Sequence, residues 1–215
     1  MAYFPMYVDI SDKKCVVVGG GRIAFHKIEI LEQFGTKITV ISPFIGDDIY
    51  ALSKKVEKPL IFIEREFMDS DIFDARLVVA ATDNVALNSH ISDICKEKDI
   101  LVNVVDVKEE CTFIFPAIVK RDKLVISIST GGSSPAMASR IKKNIESAIP
   151  AYYSSIIELM GEHREYIKKE IHTQRERKKV YNELIDIAEK NLGSISFEIV
   201  KEVVDRHKIS DKGGC

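Results

Sequence analysis

Hydrophobic and polar positions follow two alternating periods over the first hundred residues of this chain. Five short apolar runs predict β-strands at residues 15–18, 37–41, 60–63, 77–81 and 100–105. The stretches between them repeat apolar side chains at helical spacing and predict helices at residues 22–34, 47–55 and 84–98. In the first helix the repeat consists of Ile23, Lys27, Ile30, Leu31 and Phe34. Strands that alternate with helices favour a doubly wound parallel sheet of the α/β class.

The pattern changes after Asp106. Two apolar runs within residues 113–129, joined by Arg121-Asp122-Lys123, predict a β-hairpin and not another strand–helix–strand unit. A helix is predicted at 136–148, and from residue 151 the chain is patterned as helices only. We therefore predict a parallel-sheet domain, a small α+β region and a C-terminal helical region, at residues 1–113, 114–150 and 151–215.

Composition narrows the class of protein. With 46% hydrophobic and 30% charged residues the chain can bury a substantial core, and its formal net charge of −2 argues against nucleic acid as a partner. Its apolar runs are far shorter than a membrane span, and its first residues lack the basic start of a signal peptide. We therefore expect a cytoplasmic protein with no membrane segment.

The cysteines give no sign of a metal site or a redox pair. They form no C-x-x-C motif, and no histidine stands at zinc-ligand spacing from them, so we predict no resident metal. We expect Cys15 to be a core residue of the first strand and Cys95 to be half-buried on a helix. Cys215 ends a glycine-containing tail that we expect to be disordered.

The turn after the first predicted strand carries the clearest chemical signal. Gly19, Gly21 and Ala24 fill the three small positions of G-x-G-x-x-[G/A]. The first permits a sharp turn, the second permits close approach of a pyrophosphate, and the third lets the helix pack on the strand. The helix N-terminus offers free N–H groups and the positive end of its dipole to phosphates. The motif predicts a Rossmann-like fold that binds a dinucleotide, against the alternative of a glycine turn that binds nothing.

Two further strand ends are candidates for contact with such a cofactor. Ser42-Pro43 ends the second strand, where NAD enzymes often carry an acid for the ribose hydroxyls, so this position does not separate NAD from NADP. The absence of an arginine directly after it favours NAD. Thr82 and Asn84 follow the fourth strand, at the edge where α/β sheets bind ligands. Equally, Thr82 or Asp83 could simply cap the helix that begins near residue 84.

Asp106 ends the fifth strand at the same edge, where its carboxylate could act as a general base or could simply form the turn. Gly131-Gly132 is a second candidate anion cradle, because it precedes another predicted helix. Basic residues near it in sequence predict a zone for a polyanionic substrate, against the alternative of a solvated charged face. These residues are Lys120, Arg121, Lys123, Arg140, Lys142 and Lys143.

Together these stretches resemble the precorrin-2 dehydrogenase family, also called the siroheme synthase N-terminal module. The resemblance covers about residues 4–150 and rests on Phe4-Pro5-Met6-Tyr7-Val8, Cys15 to Ala24, Ala80-Ala81-Thr82-Asp83, Asn103-Val104-Val105-Asp106, Phe115-Pro116-Ala117 and Ser129 to Ala136. From residue 151 on, the chain resembles the family only in being helical.

The resemblance implies NAD-dependent oxidation of precorrin-2 to sirohydrochlorin, a step of siroheme or cobalamin biosynthesis. It also implies a homodimer in which the hairpin and the helix after it form the dimerisation region. Asp106 matches the family's catalytic aspartate, and Ser129 matches a serine that lines its tetrapyrrole site. We therefore predict a cofactor site of Gly19, Gly20, Gly21, Arg22, Ile23, Ala24, Ser42, Pro43, Thr82 and Asn84. We predict a substrate site of Ser129, Gly131, Gly132, Ser133 and Ser134.

Two functions from different classes remain open. As an enzyme, the protein would hold NAD⁺ with its pyrophosphate at Gly19–Ala24, dock the macrocycle between Asp106 and the Ser129–Ser134 turn, and use Asp106 to assist proton removal. As a regulator, it would bind NAD(H) to sense redox state, without tetrapyrrole chemistry, and contact a partner through its helical tail. Some relatives also insert Fe²⁺ or Co²⁺ into the product, which the sequence does not decide. The 215 residues leave no room for the methyltransferase domain of some relatives, so we expect that this chain does not make precorrin-2.

Overall fold

A computed structural model of the chain describes the backbone of residues 3–211 and the side chains of residues 3–208. Cys215 lies outside the described residues. Two compact units make up the chain, the first ending at Phe115 and the second beginning at Pro116. The further division near residue 150 stays a prediction.

The first unit is a five-stranded parallel sheet with helices on both faces, as the sequence predicted. Its strands are β1 Lys14–Val18, β2 Lys37–Ile41, β3 Ile61–Ile63, β4 Leu77–Ala80 and β5 Leu101–Val104. Its helices are α1 Arg22–Glu32, α2 Asp47–Ser53 and α3 Val85–Glu97. The strand order is β3-β2-β1-β4-β5, and every neighbouring pair is parallel. The order reverses at β1, which creates the crevice where doubly wound sheets bind ligands.

The sheet has a core on each face. Successive β1 side chains point to opposite faces and so enter different cores. Cys15 and Val17 pack into one core with α1 and α2, and Val16 and Val18 pack into the other with α3. The prediction for Cys15 is confirmed, and burial raises the pKa of its thiol to about 12. Cys95 is fully buried and not half-buried as predicted, and burial raises its pKa to about 11.

Helix α1 turns a different face to the core from the one its apolar pattern predicted. The buried residues are Ala24, Ile28 and Leu31, while Ile23 is 47% exposed. Small Ala24 brings the start of the helix against the strand, which sets the helix rotation by close packing. Lys27 is therefore only half-buried, beside the apolar face and not within it.

The second unit begins with an antiparallel hairpin, as predicted. The hairpin consists of β6 Ala117–Arg121 and β7 Leu124–Ile128. Strand β6 starts four residues after the predicted start at residue 113, because Thr112 and Phe113 donate backbone hydrogen bonds to Val102 of β5 instead. Pro116 separates these two pairings and has no N–H of its own.

Up to residue 211, where the described backbone ends, five helices follow the hairpin: α4 Pro135–Ala148, α5 Tyr153–Glu162, α6 Arg164–Glu170, α7 Gln174–Lys190 and α8 Phe197–Asp211. The helical C-terminal region is confirmed. The sparse apolar positions of the last three helices meet in one core built around Ile167, Val180, Leu184 and Val203. None of the helices in the described residues 3–211 is both long and apolar enough to cross a membrane.

Candidate functional site

The carboxyl ends of the five parallel strands form a row of loops along one edge of the sheet. Backbone hydrogen bonds tie these ends together: Ser42 N donates to Ile63 O at 3.2 Å, Gly19 N to Ile41 O at 2.8 Å, and Ala81 N to Val18 O at 2.8 Å. Val105 N extends the row by donating to Ala80 O at 3.0 Å. Neighbouring strands lie about 4.8 Å apart, so the ends of β2 and β5 are separated by about 14 Å. An elongated ligand can therefore lie along this edge.

The glycine turn stands in the middle of the row and opens α1. Gly21 is the N-cap residue, and it provides no side-chain cap. The first intrahelical bond is from Phe25 N to Gly21 O, at 3.0 Å. The preceding amides therefore have no acceptor among the described residues, namely those of Gly20, Gly21, Arg22, Ile23 and Ala24. Such unfilled donors at a helix N-terminus are suited to binding phosphate.

The three glycines of this turn are needed for different reasons. A Cβ on Gly19 would lie 2.2 Å from Ala81 O, and its φ of +118° is strained for any L side chain. A Cβ on Gly20 would lie 2.0 Å from Phe44 O. Gly19 and Gly20 therefore let the backbone loops after β4 and β2 close around the turn. A Cβ on Gly21 would meet nothing within 4 Å, so Gly21 leaves open space directly over the free amides. This open cradle fits the pyrophosphate of a dinucleotide.

One side of the row, at β2 and β3, has hydroxyl and acidic side chains. Ser42 follows β2, and its Oγ accepts a 3.4 Å bond from Phe44 N. Pro43 is exposed beside it. The acid that the sequence lacks at the end of β2 stands one strand further on, where Glu64 follows β3 and accepts a 2.8 Å hydrogen bond from Tyr50 Oη. Sequence reasoning missed Glu64, although its place directly after an apolar run is the signal that marks strand-end residues.

The loop after β4 is held by its own hydrogen bonds. The hydroxyl of Thr82 donates to Asn88 Oδ1 at 2.7 Å, and Asn88 Nδ2 donates to Thr82 O at 3.0 Å. Asn84 is the N-cap of α3, and its Oδ1 accepts from Leu87 N at 3.0 Å. The cap is thus Asn84, and neither Thr82 nor Asp83, the two residues considered from the sequence. The exposed Asn84 still lies at the ligand edge, whereas the Thr82 hydroxyl is already paired.

Asp106 lies at the other side of the row, two residues after β5. Its φ is +64°, in the left-handed region that Asp and Asn tolerate better than most residues. The side chain is exposed, and among the described residues its carboxylate has neither a hydrogen bond nor an ion pair, although Lys27 is near enough for the two charges to interact. Asp106 therefore forms the turn and also presents an exposed carboxylate, so its two alternative roles are compatible. Its loop is anchored by buried Cys111, whose Sγ accepts from Val104 N at 3.2 Å.

Lys27 of α1 is a second charged group near this end of the row. Its Nζ lies 4.3 Å from the ring centroid of Phe115, which in turn packs on Phe113. Burial lowers the pKa of Lys27, while the charges of Cys111 and Asp106 act in the opposite direction. Lys27 was predicted only as a member of a helical repeat. A lysine among the apolar positions of such a repeat is the signal that could have identified it.

The second glycine turn, in the second unit, has fewer free donors than the first. Ser129 Oγ accepts from Gly131 N at 3.0 Å, and Thr130 Oγ1 accepts from Ser134 N at 3.1 Å. Ser134 caps α4 by accepting from Met137 N at 3.2 Å. Pro135 at the first helical position has no N–H. Several backbone N–H groups at this turn therefore already donate to hydroxyl groups of the turn itself.

Arg121 lies outside the basic zone predicted around this turn. Arg121 donates to Ile149 O and Glu146 O, each at 2.6 Å, and so caps the C-terminus of α4, whereas the glycine turn precedes its N-terminus. A helix of this length separates these two ends by about 21 Å. Lys142 pairs with Glu146, and Lys123 lies 3.8 Å from Glu158. Arg121 is close to the glycine turn in sequence. The hairpin and the length of α4 place it at the other end of the helix.

Among the described side chains, no group of three or more His, Cys, Asp or Glu is placed to hold a metal ion.

Comparison with known families agrees with the geometry of the glycine cradle. A family model described as "Putative NAD(P)-binding" matches residues 6–117, more than half of the chain. This chain belongs to that family. A second model, "Sirohaem biosynthesis protein central", matches residues 121–148 of the NAD(P)-binding protein. The two matches together confirm the predicted resemblance to the siroheme synthase N-terminal module.

Individual relatives of this NAD(P)-binding protein support the same family resemblance. Siroheme synthase of Thioalkalivibrio sulfidiphilus is 38% identical over 187 residues, covering 86% of this chain and 38% of the relative. Siroheme synthase of Ruthia magnifica is also 38% identical, over 83% of this chain and 37% of the relative. The chain thus spans well under half the length of these curated relatives. A solved structure described as "SirC, precorrin-2 dehydrogenase" superimposes with a TM-score of 0.78 at 25% identity, covering 96% of this chain and 99% of that chain.

Proposed function

We propose that this protein catalyses the NAD-dependent dehydrogenation of precorrin-2 to sirohydrochlorin. The observation that carries the proposal is the likeness to the precorrin-2 dehydrogenase structure over almost the full length of both chains. The open cradle at Gly21 and the unpaired carboxylate of Asp106 support it, because they stand at the middle and at one end of the same row of strand ends.

We assign the residues of the first unit to different parts of the cofactor along this row. The free amides from Gly20 to Ala24 bind the pyrophosphate, and Ser42 and Pro43 border the adenosine side. Asn84 and Asp106 border the nicotinamide side, since β4 and β5 lie on the opposite side of β1 from β2. Bound NAD⁺ supplies a hydride acceptor. The Asp106 carboxylate takes the proton that the substrate loses with the hydride, and its exposure lets that proton pass on to water.

In the second unit, we assign the turn from Ser129 to Ser134 to substrate binding. Its exposed hydroxyls and the amides of Gly132 and Ala136, which have no acceptor among the described residues, can bind carboxylates of the tetrapyrrole. The substrate site comprises Ser129, Gly131, Gly132, Ser133 and Ser134.

The direct test is to mix the protein with precorrin-2 and NAD⁺ and to follow the absorption spectrum of sirohydrochlorin together with NADH formation. We expect both to rise in equal amounts. Binding of NAD⁺ with no change in precorrin-2 would contradict the proposal and favour the redox-sensing regulator. Adding Co²⁺ or Fe²⁺ after sirohydrochlorin has formed reports metal insertion in the same cuvette.

We also propose that the protein is a cytoplasmic homodimer. The described cysteines Cys15, Cys95 and Cys111 are free thiols, which agrees with a reducing compartment. The hairpin and α4 support a dimer, because α4 buries only Ala138 and leaves Met137 50% exposed. A two-stranded hairpin of this kind is marginally stable unless it packs against more protein.

Sedimentation at micromolar protein concentration is expected to give twice the mass of the chain. A monomer that remains a monomer across the micromolar range would refute the dimer.

A further inference from the structure

The side of the row that borders β2 lacks the usual acid, because Ser42 stands where many NAD enzymes have one. We propose that Glu64, one residue past β3, takes this role: it accepts hydrogen bonds from the hydroxyls of the adenosine ribose and makes the site select NAD(H) over NADP(H). This inference depends on cofactor binding by the first unit and not on the tetrapyrrole chemistry.

The register of the sheet brings Glu64 to the required place. Ile41 pairs with Ile63, so Ser42 and Glu64 are neighbours across two parallel strand ends. The bond from Ser42 N to Ile63 O, at 3.2 Å, continues that pairing one step beyond β2. The lateral step between strands is about 4.8 Å, and the reach of a glutamate side chain is comparable. The acid can therefore reach over Ser42, whose short side chain leaves that space open.

One oxygen of the Glu64 carboxylate is held by a hydrogen bond, and the other remains available as an acceptor. Tyr50 Oη donates to Oε1 at 2.8 Å, and the Tyr50 ring packs on Phe62 with centroids 4.6 Å apart. The bond to Glu64 raises the pKa of Tyr50, which keeps the phenol protonated as a donor. Oε2 has no hydrogen-bond partner among the described side chains, and the residue is exposed at the ligand edge. An anchored oxygen and a free one leave the carboxylate able to accept from a ribose hydroxyl.

The charges around this position disfavour a 2′-phosphate. Asp47 and Asp48 occupy the first turn of α2, directly after the loop from β2. Arg65, next to Glu64 in the chain, is engaged by Asp71, with bonds of 2.6 and 2.8 Å. The neighbouring arginine is thus unavailable, and the Glu64 carboxylate would face the added phosphate. A carboxylate and a phosphate carry like charges and repel each other. A carboxylate that accepts a bond from a hydroxyl also loses that bond when the hydroxyl is phosphorylated.

The test compares the affinities of NADH and NADPH by fluorescence titration of the wild-type protein, Glu64→Gln and Glu66→Gln. Glutamine keeps an oxygen for Tyr50 but removes the charge. We expect the wild type to prefer NADH. Glu64→Gln is expected to lower that preference about ten- to a hundredfold, the range that corresponds to one hydrogen bond to a charged group. Glu66→Gln, with the same charge change two residues away on the exposed surface, is expected to keep the wild-type preference.

Three results would overturn the proposal. A wild type that binds both cofactors equally has no selectivity to explain. An equal loss of affinity for both cofactors in Glu64→Gln would place the contact away from the 2′ position. An equal change of preference in Glu66→Gln would attribute the selectivity to the general acidity of the edge. The dehydrogenase proposal is judged separately, by the precorrin-2 assay, because these titrations contain no tetrapyrrole.

Discussion

Replacing Asp106 with asparagine is expected to slow precorrin-2 dehydrogenation by about 10²–10⁴-fold while leaving NAD⁺ affinity unchanged, the range that a general base contributes. The backbone makes this substitution informative. Asp106 has a φ of +64°, which asparagine adopts as readily as aspartate, so the turn after β5 is expected to survive. What the variant loses is the free carboxylate and its ability to take a proton. The measurement is the rate of sirohydrochlorin formation at saturating NAD⁺, beside a titration of NAD⁺ binding.

Asp99→Asn is the matched control. Asp99 is also exposed and also has a positive φ, of 55°, but it precedes β5 and so lies at the opposite edge of the sheet. Its replacement is expected to leave both rate and affinity at wild-type values. A loss of less than about tenfold in Asp106→Asn would make Asp106 a turn residue only, and the base would then be sought at Asp83, at a histidine or in water.

Replacing Gly21 with valine is expected to weaken NAD⁺ binding by about a hundredfold or more without unfolding the protein. Each charge-assisted hydrogen bond to a phosphate oxygen contributes about 1.5–3 kcal/mol, and a side chain in the cradle would interrupt at least two. The protein itself tolerates the new atoms, because a Cβ on Gly21 meets nothing within 4 Å. Calorimetric titration of NAD⁺ measures the binding, and thermal unfolding checks the fold.

Gly20→Ala provides the contrast, since its Cβ would lie 2.0 Å from the backbone oxygen of Phe44. This variant is expected to lose thermal stability, whereas Gly21→Val keeps it. A folded Gly21→Val protein that binds NAD⁺ as tightly as the wild type would show that the pyrophosphate lies elsewhere.

Much of the fold could be predicted because it depends on local pattern. The five apolar runs became the five parallel strands, and the helical repeats between them became α1, α2 and α3. Boundaries moved by one to four residues where a tertiary contact decided them. The largest shift, at the start of β6, arises because Phe113 pairs with Val102 of β5, a partner distant in sequence.

The candidate site was predictable where a residue acts through the backbone. Gly19 has a φ of +118°, which favours glycine, and Asp106 has a φ of +64°, which Asp and Asn tolerate better than most residues. The sequence misplaced Arg121 and missed Glu64, because sequence distance says little about spatial distance across a hairpin or between strands. Arg121 is ten residues from Gly131 in the chain and caps the opposite end of α4.

Sequence alone was enough to predict the class of fold, the glycine turn that opens α1 and the family to which the chain is similar. These rest on spacing, small residues and hydrophobic period, which are properties of neighbouring residues. The tertiary structure was needed to add Glu64 and Lys27 to the strand-end residues that the sequence had already placed at this edge. Parallel pairing of β2 with β3 brings Glu64 beside Ser42, and packing of α1 places Lys27 over Phe115. The physical reason is that strand register and helix rotation are set by the core as a whole, after distant segments have closed around it.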